Sequence, residues 1–229
     1  MIYAIGDLHF DHSNTKPMDV FGEKWINHKE KIIEDWSKKV TDEDLVIIPG
    51  DISWGLKLKD AYPDLKLIDE LPGQKVVIKG NHDYWWEGIS KIRSLDLETI
   101  HFIRNDCFVY KNIGIAGTRG WMSKDSDGFD NQDEKIYNRE LLRLEASLKS
   151  IPETVDYRIA MLHYPPFDGK LRKNEFVDLL KEYRVDTFVY GHLHAEGHKY
   201  SIEGIFEGMM FHLVSSDYLD FKLKLILEE

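Results

Sequence analysis

Five short polar motifs carry side chains that can bind metals and transfer protons. In chain order they are Gly6-Asp7-Leu8-His9, Gly50-Asp51, Gly80-Asn81-His82-Asp83, Leu162-His163 and Gly191-His192-Leu193-His194. Each motif ends or directly follows an apolar run with the composition of a buried strand. Because ligands of open α/β sheets bind outside the carboxyl ends of the strands, this spacing predicts that the five motifs converge on one crevice.

The donor atoms in these motifs are imidazole nitrogens, carboxylate oxygens and one amide. Such a mixture suits manganese, iron, cobalt, nickel or zinc better than magnesium or calcium, which prefer shells made only of oxygen. Cys107 is the only cysteine of the sequence, so a thiolate metal cluster and an internal disulfide are both excluded.

The motif order Asp-x-His, Gly-Asp, Gly-Asn-His-Asp, His and Gly-His-x-His resembles that of the calcineurin-like metallophosphoesterase superfamily. The resemblance extends over about 190 residues. It implies an α/β fold, a four-layer α/β/β/α sandwich of two mixed β-sheets with helices on both outer faces. It also implies a dinuclear metal-dependent phosphoesterase, in which a metal-bridging hydroxide attacks the phosphate ester in line.

The same resemblance implies a role for each motif residue. One metal would be bound by Asp7, His9 and His194, the other by Asn81, His163 and His192, and Asp51 would bridge the two. A bridging carboxylate holds two divalent ions roughly 3.5 to 4 Å apart, close enough to act on one phosphate group. We therefore expect two divalent metal ions, with manganese favoured and iron, zinc, cobalt or nickel as alternatives.

His82 and Asp83 are the implied catalytic pair. His82 would donate a proton to the leaving oxygen, and Asp83 would orient its ring. A histidine hydrogen-bonded to a carboxylate keeps one tautomer and stays protonated to higher pH, as an acid near two cations requires. The remaining histidines match no motif position.

Aromatic and basic residues near the motifs are candidates for substrate binding. They are Trp54, Tyr84, Arg119 and Trp121. An aromatic wall would favour a small phosphodiester or a nucleotide-like substrate, and an arginine there would bind a phosphate oxygen. The alternatives are core packing for the aromatic residues and a solvated surface charge for Arg119.

Other functions remain open at this stage. A protein Ser/Thr phosphatase typically has an arginine shortly after the Gly-Asp element and a glutamate after Gly-Asn-His, whereas this chain has Ile52-Ser53-Trp54 and Asp83. The alternatives are a phosphomonoesterase or protein phosphatase, a nuclease, and a non-catalytic metal-binding scaffold. An enzyme is favoured because all seven implied ligands and His82 are present.

Charge and composition limit the partners. The 229 residues include 30 Lys and Arg against 41 Asp and Glu, which gives a net charge of −11. An acidic surface disfavours general nucleic-acid binding, whereas an electropositive metal centre would still attract a small phosphate ester. No run approaches the roughly 18 apolar residues of a membrane helix, and no basic segment precedes Met1–Ile5, so we expect a cytoplasmic protein without membrane association.

The elements that position the motifs are predicted from hydrophobic periodicity. Strands are predicted over Met1–Ile5, Leu45–Ile48, Lys75–Lys79, Ile113–Ala116, Arg158–Leu162 and Thr187–Tyr190. Helical periodicity between the early strands indicates a parallel α/β core. Antiparallel strands are predicted after Gly197, over Lys199–Ile202, Gly204–Phe206, Met209–Val214 and Phe221–Leu227. Without an internal repeat or linker, residues 1–229 are predicted to form a single domain.

Overall fold

Strands and helices alternate through most of the chain in the computed structural model, which describes residues 1–228. The strands are β1 (Ile2–Ala4), β2 (Leu45–Ile48), β3 (Gln74–Val77), β4 (Ile100–Phe102), β5 (Cys107–Tyr110), β6 (Ile113–Thr118), β7 (Tyr157–Leu162), β8 (Thr187–Tyr190), β9 (Gly204–Phe206), β10 (Met209–Leu213) and β11 (Lys224–Leu227). The helices are α1 (His28–Lys39), α2 (Leu58–Glu70), α3 (Ile89–Arg93), α4 (Asn131–Lys149) and α5 (Glu175–Glu182).

The described chain divides into two compact units. The first unit contains Met1–Phe102 and the chain from Val214 onward, and the second unit contains Ile103–Leu213. Each unit has one mixed sheet and its own helices. The predicted α/β class with two mixed sheets is therefore confirmed, whereas the four-layer stacking and the single domain stay predictions.

The sheet of the first unit has the strand order β11-β1-β2-β3-β4. All neighbours in this sheet are parallel except β11, which runs antiparallel to β1. Helices α1 and α2 pack on it, and their residues Ile32, Trp36 and Leu65 join Val46 and Ile48 of β2 in one hydrophobic core. Parallel pairing brings the carboxyl ends of β1, β2 and β3 to the same edge of the sheet, where three of the polar motifs begin.

The sheet of the second unit has the order β5-β6-β7-β8-β10-β9. Strands β6, β7, β8 and β10 are parallel, and the edge strands β5 and β9 are antiparallel to their neighbours. Leu144 and Leu148 of α4, Phe176 and Leu180 of α5 and Phe188 of β8 share a hydrophobic core. The two remaining motifs follow β7 and β8 at one edge of this sheet.

The carboxyl-terminal part of the chain differs from its sequence prediction in two respects. The strand predicted over Lys199–Ile202 is wrong, because Ala195–Tyr200 forms a 3₁₀ helix. Short-range hydrogen bonds stabilise this segment: Gly197 N–H donates to the His194 carbonyl at 2.7 Å, and Ser201 N–H donates to the His198 carbonyl at 3.1 Å. The second difference is that β10 is parallel to β8, although β9 and β10 are antiparallel as predicted.

A buried lysine in the first unit gives a prediction about stability. The Lys75 ammonium donates to the Asp69 carbonyl at 3.2 Å, to Thr99 Oγ1 at 3.0 Å and to the Leu71 carbonyl. Burial lowers the pKa of Lys75 from 10.5 to about 8. Between about pH 8 and pH 10.5, Lys75 is protonated in the unfolded chain and neutral in the folded chain. The free energy of unfolding should therefore rise with pH over this range, by at most ~3 kcal/mol.

Urea denaturation at pH 7.5, 9 and 10.5 checks this prediction. Lys75→Met should lose the rise, whereas Lys222→Met at an exposed position should keep it. Equal pH dependence of the wild type and Lys75→Met would contradict the prediction.

Helix length and hydropathy bear on membrane insertion. Within residues 1–228, no helix combines the length and the apolar composition that a bilayer crossing needs.

Candidate metal centre

The loops after β1 and β2 bring the first three predicted ligands together. Asp7 N–H donates to the Gly50 carbonyl at 3.0 Å, and His9 N–H donates to the Asp51 carbonyl at 3.0 Å. The strand pairing thus continues beyond the strand ends and fixes the backbone of both loops. The side chains of Asp7, His9 and Asp51 are buried.

The ligand atoms of these three side chains lie close to one another. A carboxylate oxygen of Asp7 is within 4.8 Å of ligand atoms of both His9 and Asp51. His9 Nε2 is 3.8 Å from Asp51 Oδ2. The buried carboxylates of Asp7 and Asp51, with oxygens within 4.8 Å of each other, repel each other unless a proton or a cation neutralises them. The donor set of the first unit therefore fits a divalent cation.

Four of the predicted ligands have a left-handed backbone conformation. The φ angles are 55° at Asp7, 47° at His9, 52° at Asp51 and 72° at His192. Residues other than glycine rarely adopt such φ values, and each residue held in this conformation costs roughly 1 to 3 kcal/mol of stability. Strain of this kind is typical of functional sites, where the position of a side chain matters more than local stability.

Two glycines give the loops of the first unit their close approach. Gly50 has a φ of 92°, a conformation that glycine adopts without steric cost. Gly80 lies so close to Asp51 that a Cβ at position 80 would overlap with its carboxylate and amide nitrogen. The loop that carries Asn81, which is half-buried, can therefore reach the Asp51 loop only with glycine at position 80.

His82 lies beside the predicted bridging carboxylate and among aromatic rings. Its backbone N–H donates to Asp51 Oδ1 at 2.8 Å. The His82 ring centroid is 4.6 Å from that of Trp54 and 6.1 Å from that of Tyr84. Trp54 also stacks on His9, with ring centroids 4.9 Å apart. The two aromatic residues of the first unit that were predicted to bind substrate thus border the predicted proton donor.

The Asp83 carboxylate holds the backbone of two loops together. It is fully buried and accepts hydrogen bonds from the backbone N–H groups of Asp51 (2.9 Å), Ile52 (2.8 Å), Ser53 (3.3 Å) and Gly80 (2.7 Å). The Trp85 indole donates to it as well, at 3.0 Å. The sequence did not indicate this arrangement, in which Asp83 positions the peptide groups next to Asp51. That Asp83 orients the His82 ring stays a prediction.

Asp83→Asn should destabilise the protein by about 3 kcal/mol or more. An amide has one acceptor oxygen, and its NH₂ group would face N–H donors that lose their partner, each at a cost of about 1 to 3 kcal/mol. Chemical denaturation in the presence of a chelator measures this loss without any contribution from bound metal. Asp42→Asn, at an exposed position, is the matched control, and a difference below about 1 kcal/mol between the two variants would contradict the assignment.

The second unit presents the remaining predicted ligands in the loops after β7 and β8. The backbone N–H groups of His163 and Tyr164 donate to the Arg119 carbonyl at 3.1 and 3.0 Å, and Gly191 N–H donates to the His163 carbonyl at 3.3 Å. His163 is fully buried. His194 is partly buried and immediately precedes the 3₁₀ helix Ala195–Tyr200.

Two imidazoles of the second unit face each other. His192 Nδ1 lies 3.2 Å from His163 Nε2. Two ring nitrogens at this distance either share one proton or point toward a common cation. Neutral imidazole is a common ligand of transition metals, so this pair also fits a divalent cation.

Arg119 and Trp121 form a contact pair within the second unit. The Arg119 guanidinium lies 4.3 Å above the Trp121 ring and 3.8 Å from Glu140. Burial lowers the pKa of Arg119. The Trp121 indole donates to Asp133 Oδ1 at 3.1 Å. Both residues thus have partners in their own unit, and their predicted contact with substrate stays a prediction.

Glu140 is a site-supporting residue that the sequence reasoning missed. Its carboxylate is fully buried and accepts from Thr118 Oγ1 at 2.6 Å and from Arg143 at 2.6 Å. It thereby anchors the segment that leads from β6 to Arg119. The sequence contains a pattern that indicates this role. Glu140 has the helical spacing of Tyr137 and Leu144, which are buried on α4, so a charged residue stands where an apolar one would be expected.

Comparisons with known proteins agree with this picture. The family model described as calcineurin-like phosphoesterase matches residues 1–196, and the chain belongs to that family. A search of curated proteins gives no significant match.

Solved structures share the fold at low sequence identity. AQ665 of Aquifex aeolicus, a protein of unknown function, is 15% identical with a TM-score of 0.50, and the alignment covers 97% of this chain and 94% of that one. TT1561 of Thermus thermophilus is 11% identical with a TM-score of 0.54, covering 97% and 96%. GAP50, the anchor in the inner membrane complex of Plasmodium, is 17% identical with a TM-score of 0.50, covering 94% and 71%.

Proposed function

We propose that this protein is a dinuclear metal-dependent phosphoesterase that hydrolyses a small phosphate ester. The observation that carries the proposal is the group of Asp7, His9 and Asp51, whose buried ligand atoms lie close together in a chain of the calcineurin-like phosphoesterase family. Two carboxylates buried side by side are costly without a cation, so the first unit is built to bind one.

The proposed ligands form two sets that share one carboxylate. One set is Asp7, His9 and His194, the other is Asn81, His163 and His192, and Asp51 belongs to both. The facing imidazoles of His163 and His192 support their assignment to one cation. When bound, two divalent ions activate water as a nucleophile and stabilise the negative charge that develops on the phosphoryl oxygens. Manganese is the proposed metal.

His82 is the proposed general acid. The hydrogen bond from its backbone N–H to Asp51 fixes residue 82 beside the bridging carboxylate, and Trp54 packs against its ring. The ring would hold a proton on one nitrogen and give it to the oxygen of the departing alcohol. Asp83 supports this step by holding the backbone that carries Asp51.

A small phosphodiester or nucleotide-like compound is the proposed substrate. Trp54 and Tyr84 border His82 and would contact the leaving group, and the Arg119–Trp121 pair would contact the phosphate or a ring. The net charge of −11 supports a small substrate over a nucleic-acid polymer, because the surface repels a long polyanion.

A hydrolysis panel in manganese tests the proposal. The wild type should hydrolyse a nitrophenyl phosphodiester or a nucleotide faster than a phosphopeptide, and single-stranded DNA should remain intact. The Asp51→Asn variant, purified and assayed in the same manganese buffer, is the negative control, since the substitution would not affect contaminating phosphatases.

Three outcomes would redirect the assignment. Preference for a phosphopeptide or simple monoester would favour a phosphatase, and DNA cleavage would favour a nuclease. Two bound metals without hydrolysis of any panel member would favour a non-catalytic scaffold.

A further inference from the structure

A pocket of about 220 Å³ opens in the second unit beside the proposed ligand His192. Its walls come from the loops after β6, β7 and β8. The lining residues with apolar surface are Met122, Tyr164, Pro165, Phe167, Leu193 and Tyr200. We call it the Tyr164 pocket. His192 and Leu193 are the lining residues that belong to a sequence motif, and the rest of the lining comes from outside the motifs, so the sequence did not predict the pocket.

The wall of the Tyr164 pocket nearest to the proposed metal ligands is aromatic. The Tyr164 ring lies 4.1 Å from the His192 ring, measured between centroids. Trp121 packs on Tyr164 at 5.5 Å, and Arg119 covers the Trp121 ring at 4.3 Å. These tilted ring contacts fix the Tyr164 ring, which is 8% exposed, in the wall of the pocket. A preformed apolar wall of this kind binds a flat ring at little entropic cost, because few side chains must be ordered on binding.

The polar groups of the pocket do not demand an ionic ligand. Asp168 lines it, but its carboxylate pairs with Arg172 at 2.6 Å and accepts the backbone N–H groups of Lys170 and Arg172 at 2.9 Å. Ser123 and Ser126 add hydroxyl groups to the lining. The pocket thus offers an apolar surface with a few neutral hydrogen-bonding groups, which is the usual composition of a small-molecule site.

We infer that the Tyr164 pocket binds the aromatic ring of the substrate, a phenol-like or nucleobase-like group attached to the phosphate. The inference rests on the proposed function, because His192, if it binds a metal, would hold the phosphate beside the pocket that it lines. The volume suits one ring, since a cavity of about 150 Å³ accommodates benzene. The inference thus specifies the substrate class as an aryl or nucleotide ester, in preference to a purely alkyl ester.

Calorimetric titration of the manganese-loaded protein with two phosphonates tests this inference without hydrolysis. Phenylphosphonate and methylphosphonate share the group that would face the metals and differ by the ring. The wild type should bind phenylphosphonate about tenfold more tightly or better, as expected when one ring is buried. Met122→Trp, which fills the pocket from a partly buried loop position, should remove this preference and leave methylphosphonate affinity and metal content unchanged.

Two further variants keep the test decisive. Leu142→Trp places the same large side chain at an exposed position of α4 and should retain the wild-type preference. Tyr200→Ala removes a half-exposed lining residue and should weaken phenylphosphonate binding several-fold even if Met122→Trp does not fold.

The outcomes separate this inference from the proposed function. Equal affinity of the wild type for the two phosphonates, or a ring preference that survives both pocket variants, would overturn the pocket assignment and leave the metallophosphoesterase proposal standing. Failure of the protein to take up metal and to bind either phosphonate would overturn both.

Discussion

Asp51→Asn is expected to abolish both metal binding and hydrolysis, the largest effect of any single substitution in this chain, and Asp51→Ala should do the same. Asp51 is the one residue proposed to contact both cations, and its carboxylate is buried within 4.8 Å of that of Asp7. Residues that only orient a metal ligand contribute about 10- to 100-fold to metal affinity. The shared ligand should contribute more, because its loss leaves two cations close together with less negative charge between them.

Elemental analysis after gel filtration, together with the hydrolysis assay, measures this effect. Asparagine is the better variant because it keeps an acceptor for the His82 N–H, which lies 2.8 Å from Asp51 Oδ1. Asp42→Asn is the exposed control and should retain two metals. Two tightly bound metals in Asp51→Asn would show that Asp51 does not bridge them.

The metal-free proteins provide a second comparison for the same residue. Without a cation, the carboxylates of Asp7 and Asp51 repel each other in a buried environment. Removing the charge of Asp51 should therefore leave the chelator-treated variant at least as stable as the chelator-treated wild type. A large loss of stability would instead indicate that Asp51 has a structural role.

Much of the fold could be predicted because its strands are buried on both faces. Strands β2 and β8 were predicted with their observed bounds, since Leu45–Ile48 and Thr187–Tyr190 are continuous runs of aliphatic, aromatic or β-branched residues. Strand β5 was missed because the apolar residues of Cys107–Tyr110 form an edge strand with little burial. Lys199–Ile202 was misassigned because a short segment with spaced apolar residues fits a strand and a 3₁₀ helix equally well.

In the candidate site, features within one short motif could be predicted from the sequence, whereas contacts between distant residues could not. The proton-donor role of His82 stays a prediction, and it could be made because the Gly80-Asn81-His82-Asp83 motif is contiguous in sequence. The contacts of Asp83 with the Asp51 loop could not be predicted, because they join residues about 30 positions apart through backbone N–H groups. The Tyr164 pocket was missed for the same reason, as its wall is complete only after three loops have folded together.

His82→Ala is expected to lower kcat by roughly 10² to 10⁴ while both metals remain bound, since this is the usual contribution of a general acid. His82 is proposed to donate a proton and is not among the proposed ligands, so its loss should separate chemistry from metal binding. His12→Ala, at an exposed position, is the matched control and should leave kcat unchanged.

The identity of the leaving group provides the sharper test of His82. Nitrophenolate departs without needing a proton, whereas an alkoxide needs one in the transition state. The loss of kcat in His82→Ala should therefore be large for an alkyl ester and small for a nitrophenyl ester of the same phosphate. Trp54 packs on His82 at 4.6 Å, so a general disturbance of the site would lower both rates alike. An equal loss for the two esters, with metal content preserved, would show that His82 positions the substrate and does not donate a proton to the leaving oxygen.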